Sequence, residues 1–150
     1  MIEFNKIWVE KYRPNKLADV ILDEASLRVV SQFEEEIPNL LFVGNPGTGK
    51  TTLARIIVND ILKCNYLYIN ASDESGIDTI RHNITNFAQT KSFDGKVKVI
   101  ILDEADGLTG QAQAALRNTM ESFAKYCRFI LTANYKHKII PALQSRCQSL

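Results

Sequence analysis

An α/β fold with a parallel sheet flanked by helices is predicted by three observations. Short apolar runs alternate with helical patterns, a glycine-rich segment joins one such run to the helix after it, and a later run ends abruptly in acid. Alternation of strands with helical crossovers gives parallel pairing. The 150 residues, 45% hydrophobic and 23% charged, suffice for one domain around a true core. No repeat, low-complexity tract or linker divides them, and the four prolines fall at segment borders.

Taken in order, Leu27 to Phe33 reads as a helix ahead of the first core strand, with Pro38 ending what precedes it. Leu40 to Val43, Tyr66 to Ile69, Val97 to Leu102 and Phe129 to Thr132 read as strands buried on both faces. Between them, Thr51 to Leu62 carries Leu53, Ala54, Ile57, Val58 and Ile61 at helical spacing. Ile77, Ile80, Ile84 and Phe87 repeat on one face of a second helix. Ala112, Ala115, Leu116, Thr119, Met120 and Phe123 do so in a third, and all three stripes read as core packing.

The segment Gly44-Asn45-Pro46-Gly47-Thr48-Gly49-Lys50-Thr51 lies directly after a strand and directly before a helix, the context a phosphate-binding loop requires. Glycines let successive N–H groups turn around phosphates, where a side chain at Gly47 or Gly49 would obstruct the turn or the ligand. Lys50 is expected to reach the β and γ phosphates, and the Thr51 hydroxyl to ligate Mg2+. With Thr52, these residues form the predicted binding set for a nucleoside triphosphate with Mg2+.

The strand beginning at Val97 ends in Asp103-Glu104-Ala-Asp106, a poor place for unpaired charge. In a doubly wound sheet the carboxyl ends of the strands face the ligand crevice, so Asp103 is expected beside the phosphate loop, supporting the metal directly or through water. Glu104 points differently and is the expected base for the attacking water. Asp106 is open between capping the following turn and a catalytic task. Asn134, after the next strand, is open between a turn residue and a hydrogen-bond donor to γ phosphate or water.

Net charge is +1, so no global sign of nucleic-acid binding exists and any such site must be a local basic cluster. Cys64, Cys127 and Cys147 lack C-x-x-C pairing, which suggests neither a zinc site nor a disulfide framework. The start of the chain lacks an apolar signal region and no segment reaches membrane-spanning length. A soluble, intracellular protein is expected, with nucleus, cytoplasm and viral replication site not distinguished.

The order of these segments resembles an AAA+ ATPase, with Walker A at Gly44 to Thr51, Walker B at Val99 to Glu104 and sensor 1 at Asn134. The closer resemblance is to small subunits of replication factor C and the ATPase subunits of tailed-phage clamp loaders. It rests on Trp8-Val-Glu-Lys-Tyr-Arg-Pro14, Asn70-Ala-Ser-Asp-Glu, Leu102-Asp-Glu-Ala-Asp106, Gln113-Ala-Ala-Leu-Arg-Asn-Thr-Met-Glu121 and Ser145-Arg-Cys147, spread through nearly the whole chain. The resemblance implies one AAA+ domain over residues 1–150 whose first 38 residues cover the adenine. Val9, Tyr12, Arg13, Val20 and Ile21 are then the base-binding residues.

It also implies a ring of clamp-loader subunits that uses ATP to load a sliding clamp onto primer–template DNA. Arg146 becomes an arginine finger serving the neighbouring subunit, a role generally worth about 1,000-fold or more in rate. Arg81 and Arg117 become candidates for DNA phosphate contact, open against a plain solvated helix face. Ser75 stands where most relatives carry a basic residue and Asn118 where they carry a second arginine, which removes positive charge from that face. Asn45 replaces a frequent proline.

Relatives continue past the position of Leu150 with a helical lid and collar, so the 150 residues are expected to be a fragment, a truncated product or a reduced relative without those two parts. Weak hydrolysis by the isolated 150 residues is the corresponding expectation. The alternatives are a truncated nucleotide-binding module without useful turnover, or another DNA-associated AAA+ ATPase such as a helicase loader or Holliday-junction motor.

Overall fold

Five strands, β1 (Leu40–Val43), β2 (Tyr66–Asn70), β3 (Lys98–Asp103), β4 (Cys127–Ala133) and β5 (Gln148–Ser149), form one sheet in the order β2-β3-β4-β1-β5. Every pairing is parallel. The computed structural model describes residues 38–45, 49–72, 76–90 and 98–149. The expected helix at Leu27 to Phe33, the adenine-covering residues Val9, Tyr12, Arg13, Val20 and Ile21, the loop residues Pro46, Gly47 and Thr48, and Ser75 lie outside the described residues.

The strand order dictates where the helices go. From β1 the chain travels in one direction along the sheet to reach β2, and each later crossover travels in the other. Right-handed crossovers then put the first helix on one face and the rest on the opposite face. Side chains agree. Leu53, Ala54, Ile57 and Val58 of helix α1 (Lys50–Ile56) and its continuation pack on Leu40, Phe42, Val99, Ile101 and Ile130. On the other face, Ile80 and Ile84 of α2 (Ile77–Gln89), Leu116 and Met120 of α3 (Gly110–Ser122) and Leu143 of α4 (Pro141–Gln144) pack on Leu41, Ile100, Leu102, Phe129 and Leu131. The two sets alternate along each strand, as a period of two requires.

Several boundaries differ from expectation. The helix expected at Thr51 to Leu62 starts at Lys50, and its α-helical spacing ends at Ile56, where a π-helical turn (Ile57–Ile61) takes over. Ile57 and Val58 of that turn are buried and still meet the sheet. The third strand runs on to Asp103, and the fourth begins at Cys127, two residues early. β5 was not expected: two exposed polar residues carry no apolar signal, and pairing to β1, with Gln148 N–H donating to the Asn39 carbonyl at 2.8 Å, makes them a strand.

Two buried polar side chains fasten the helices to the sheet. Lys98, at the start of β3, donates to the Phe87 carbonyl at 2.7 Å, where a cation suits the end of a helix. Gln113 on α3, almost wholly buried, donates to the carbonyls of Leu108 (3.1 Å) and Lys138 (2.8 Å) and accepts from Ile140 N–H (2.8 Å). It thereby fixes the segments after both β3 and β4. Replacing Gln113 by leucine is expected to lower stability by roughly 3 kcal/mol, because those backbone groups lose their partner. Urea unfolding should show a lower midpoint with an unchanged slope.

Candidate functional site

The connections leaving β1 and its neighbour β4 run to opposite faces, so a crevice opens at the carboxyl ends of these strands, the place where open α/β sheets take ligands. Gly49 turns into that crevice with φ 87°, a left-handed conformation that suits glycine, and its carbonyl accepts the first helical bond from Leu53 N–H at 2.8 Å. Lys50 and Thr51 follow at once. The Lys50 ammonium donates to the carbonyls of Gly44 (2.7 Å) and Asn45 (3.0 Å), so it lies along the loop's own backbone.

Thr51 reaches across to the other motif. Its hydroxyl donates to Asp103 Oδ1 at 2.8 Å, which ties the helix after β1 to the acidic end of β3, 52 residues away. Thr132 of β4 donates to the same oxygen at 2.5 Å, and Tyr68 of β2 donates to Oδ2 at 2.6 Å. Asp103 thus holds hydroxyls from three separate elements while only 8% exposed. Burial works against its charge, but the bonds from Thr132, Tyr68 and Thr51 together with the Lys50 charge prevail and hold its carboxyl below the ordinary value. Burial and the bond to Asp103 push the Tyr68 phenol up to about 12.

Glu104 is arranged quite differently. It takes a left-handed backbone, φ 55° and ψ 48°, unusual for a side-chain-bearing residue and costing on the order of 1 kcal/mol. Its N–H donates to the Thr132 hydroxyl at 2.9 Å, so this single hydroxyl links both acids. The exposed Glu104 carboxylate accepts from the Ser72 hydroxyl. Ser72 is held in turn by Asn70, whose Oδ1 accepts its N–H at 3.0 Å. Gly107 makes room for this arrangement, since a Cβ there would stand 3.0 Å from Ser72 Cβ.

Asp106 Oδ2 accepts from Asn134 N–H (3.0 Å) and Tyr135 N–H (3.1 Å), so it fixes the rim after β4. The turn it was expected to cap is the one after itself; it instead anchors the neighbouring strand's exit. Asn134 is consequently held at the same edge as Glu104. Burial lowers the Lys50 pKa, opposed by the charges of Asp103, Asp106 and Glu104. Among the described residues, three carboxylates against the Lys50 ammonium and the Arg55 guanidinium over Tyr68 leave an excess of negative charge suited to a cation.

The donor set fits magnesium carried by a triphosphate. Among the described residues no cluster of three or more His, Cys, Asp or Glu side chains could hold a metal. Mg2+ characteristically takes one or two protein oxygens and fills its shell with phosphates and water. Thr51 and Asp103 supply that number.

The remaining candidates lie away from the crevice. Arg146 follows α4 and pairs with Glu121 of α3, and Arg117 pairs with the same carboxylate oxygen at 3.2 Å. Arg81 on α2 lies 3.9 Å from Asp78. Tyr68, Ser72 and Thr132 had not been marked from sequence as functional. A hydroxyl repeatedly placed near the end of an otherwise apolar strand was the available signal, as in Tyr68 and Thr132.

The model of the ATPase family associated with various cellular activities (AAA) matches residues 40–150. The chain belongs to the AAA family. Among curated proteins it is similar to the replication factor C small subunit of Methanoregula boonei, 50% identical over 154 residues covering 98% of this chain and 48% of that protein. It is 51% identical to that of Archaeoglobus fulgidus over 149 residues, 95% of this chain and 47% of the other. The chain therefore spans about half the length of the curated relatives it matches.

Its fold is shared with the Thermotoga maritima RuvB Holliday junction branch migration motor, at a TM-score of 0.68 and 22% identity over 91% of this chain and 47% of that one. PCH-2 of C. elegans is similar at a TM-score of 0.63 and 21% identity, covering 87% and 43%. The AAA sheet flanked by helices agrees with the fold class read from the sequence. No helix among the described residues is long and apolar enough to cross a membrane.

Proposed function

We propose that this AAA domain binds ATP with Mg2+ and hydrolyses it as part of a clamp loader that places a sliding clamp on primer–template DNA. The contact that carries the nucleotide reading is Thr51 to Asp103 at 2.8 Å, because it joins the phosphate-loop helix and the acidic strand end in one crevice. Identity near one half to replication factor C small subunits supports the clamp-loading context. The RuvB likeness, at 22% identity, concerns fold alone.

In this reading Gly44 to Gly49 cradle the phosphates, Lys50 exchanges its own loop's carbonyls for phosphate oxygens, and Thr51 with Asp103 would hold the metal. Mg2+ held there would supply charge neutralisation to the phosphates. Glu104, set apart by its left-handed backbone, orients and deprotonates water, and Asn134 donates from the rim of β4. Arg146 leaves Glu121 to reach a neighbouring subunit's nucleotide. Arg81 and Arg117 approach DNA phosphates from the helical face.

Calorimetry tests the core of this proposal. The chain should take up ATP in a magnesium-dependent manner, and Lys50→Ala should weaken it by about 30-fold, corresponding to about 2 kcal/mol for one lost charge-assisted hydrogen bond. ATPase activity of the complex with partner subunits should rise on adding clamp and primed DNA. A complex indifferent to both would exclude the clamp-loading role.

A further inference from the structure

We propose that the Tyr68 hydroxyl is a positioning group for Asp103, directing the carboxylate's remaining acceptor site toward the metal, and that Arg55 holds the phenol ring in place for this task. The inference rests on the reading of the crevice as a magnesium–ATP site.

An ionised carboxylate has about four acceptor positions, two per oxygen. Thr51 and Thr132 occupy those of Oδ1, and Tyr68 takes one of Oδ2, which leaves a single position on Oδ2. The direction of that position is set by the side from which the phenol approaches. Tyr68 is well placed to set it. It lies in register with Ile101 and two residues before Asn70, the partner of Asp103, so it shares the α1-facing side of the sheet with that acid. Its ring packs against the cluster under α1. The Arg55 guanidinium lies over the ring, 5.0 Å from its centroid.

Thr51 lies in the first turn of the helix that follows the phosphate loop, and Thr132 stands near the end of β4, beside β1. The phenol comes from a third element, and the loop's geometry does not call for it. Tyr68 therefore adds a constraint that the phosphate loop and the acidic strand alone would lack. Groups that hydrogen-bond a metal ligand in this way characteristically change metal affinity by about 10–100-fold when removed.

Tyr68→Phe keeps the ring and its Arg55 contact and removes only the donor. Binding of a fluorescent ATP analogue to the 150-residue chain should be followed against Mg2+ concentration and in excess chelator. The Mg2+ needed for half-maximal binding is expected to rise roughly tenfold in Tyr68→Phe, while affinity in chelator stays at the wild-type value. Arg55→Ala, which keeps the phenol and frees its ring, should raise the Mg2+ requirement about threefold.

An unchanged or lower Mg2+ requirement in both variants, with the wild type binding normally, overturns the assignment to Tyr68. Equal losses with and without Mg2+ also overturn it, since a purely structural defect does that. A wild-type chain without any Mg2+-dependent binding overturns the nucleotide reading itself.

Discussion

Glu104→Gln is expected to retain ATP and to cut its turnover by about 100-fold or more in the complex with partner subunits. The substitution is close to isosteric. Ser72 can donate to an amide oxygen as it does to the carboxylate, and the Glu104 backbone N–H keeps its bond to Thr132. What disappears is basicity at the exposed carboxylate that follows β3. Asp103, buried under three hydroxyl donors and left with a single acceptor position on Oδ2 that the metal would take, is not placed to replace it. Single-turnover hydrolysis beside equilibrium nucleotide binding separates the two effects. Turnover at the wild-type rate would remove Glu104 from the role of base.

The left-handed backbone at Glu104 explains why two adjacent acids can differ so completely. Along a regular strand, neighbours point to opposite faces, and Glu104 would have been directed into the α2–α4 core. The turn instead lifts it to the exposed rim, where Ser72 meets it. Such a conformation persists only where surroundings enforce it. Here the Thr132 hydroxyl on its N–H and the turn closed by Gly107 N–H to the Glu104 carbonyl at 3.0 Å provide that enforcement.

The sheet was legible from sequence because β1, β3 and β4 are buried and read as apolar runs, whereas the edge strand β2, expected to be buried on both faces, is mostly half-buried. β3 is buried along its whole length. The apolar stripe of α2 was equally clear, with Ile80 and Ile84 wholly buried. What pattern could not convey was pairing at long range. The Thr51–Asp103 contact follows once strand order is known, yet the convergence of Tyr68 and Thr132 on the same carboxylate depends on register, which apolar periodicity leaves open. Two-residue β5 and the π-helical turn after Ile56 leave no periodic trace at all. For Arg81, Arg117 and Arg146, sequence offered only resemblance. The structure adds their acidic partners, and the proposed roles require them to exchange those partners for phosphate.

Asp103→Asn is expected to remove the magnesium dependence of nucleotide binding and to lower stability at neutral pH by about 2 kcal/mol. An amide keeps the shape, but its nitrogen must face a hydroxyl that now has to turn and accept, and the bonds to a charged acceptor become ordinary ones. The pH dependence identifies the cause. Because the folded protein holds the Asp103 carboxyl below its ordinary value of 3.8, the folded state favours the ionised form. That stabilisation is complete above the unfolded value and is lost as pH falls through the lower, folded one. Urea unfolding of wild type and Asp103→Asn should therefore differ most near neutrality, and the gap should narrow on acidification below about pH 4. A gap that stays constant into acid would mean that packing, rather than the charge held by Thr51, Thr132 and Tyr68, accounts for the loss.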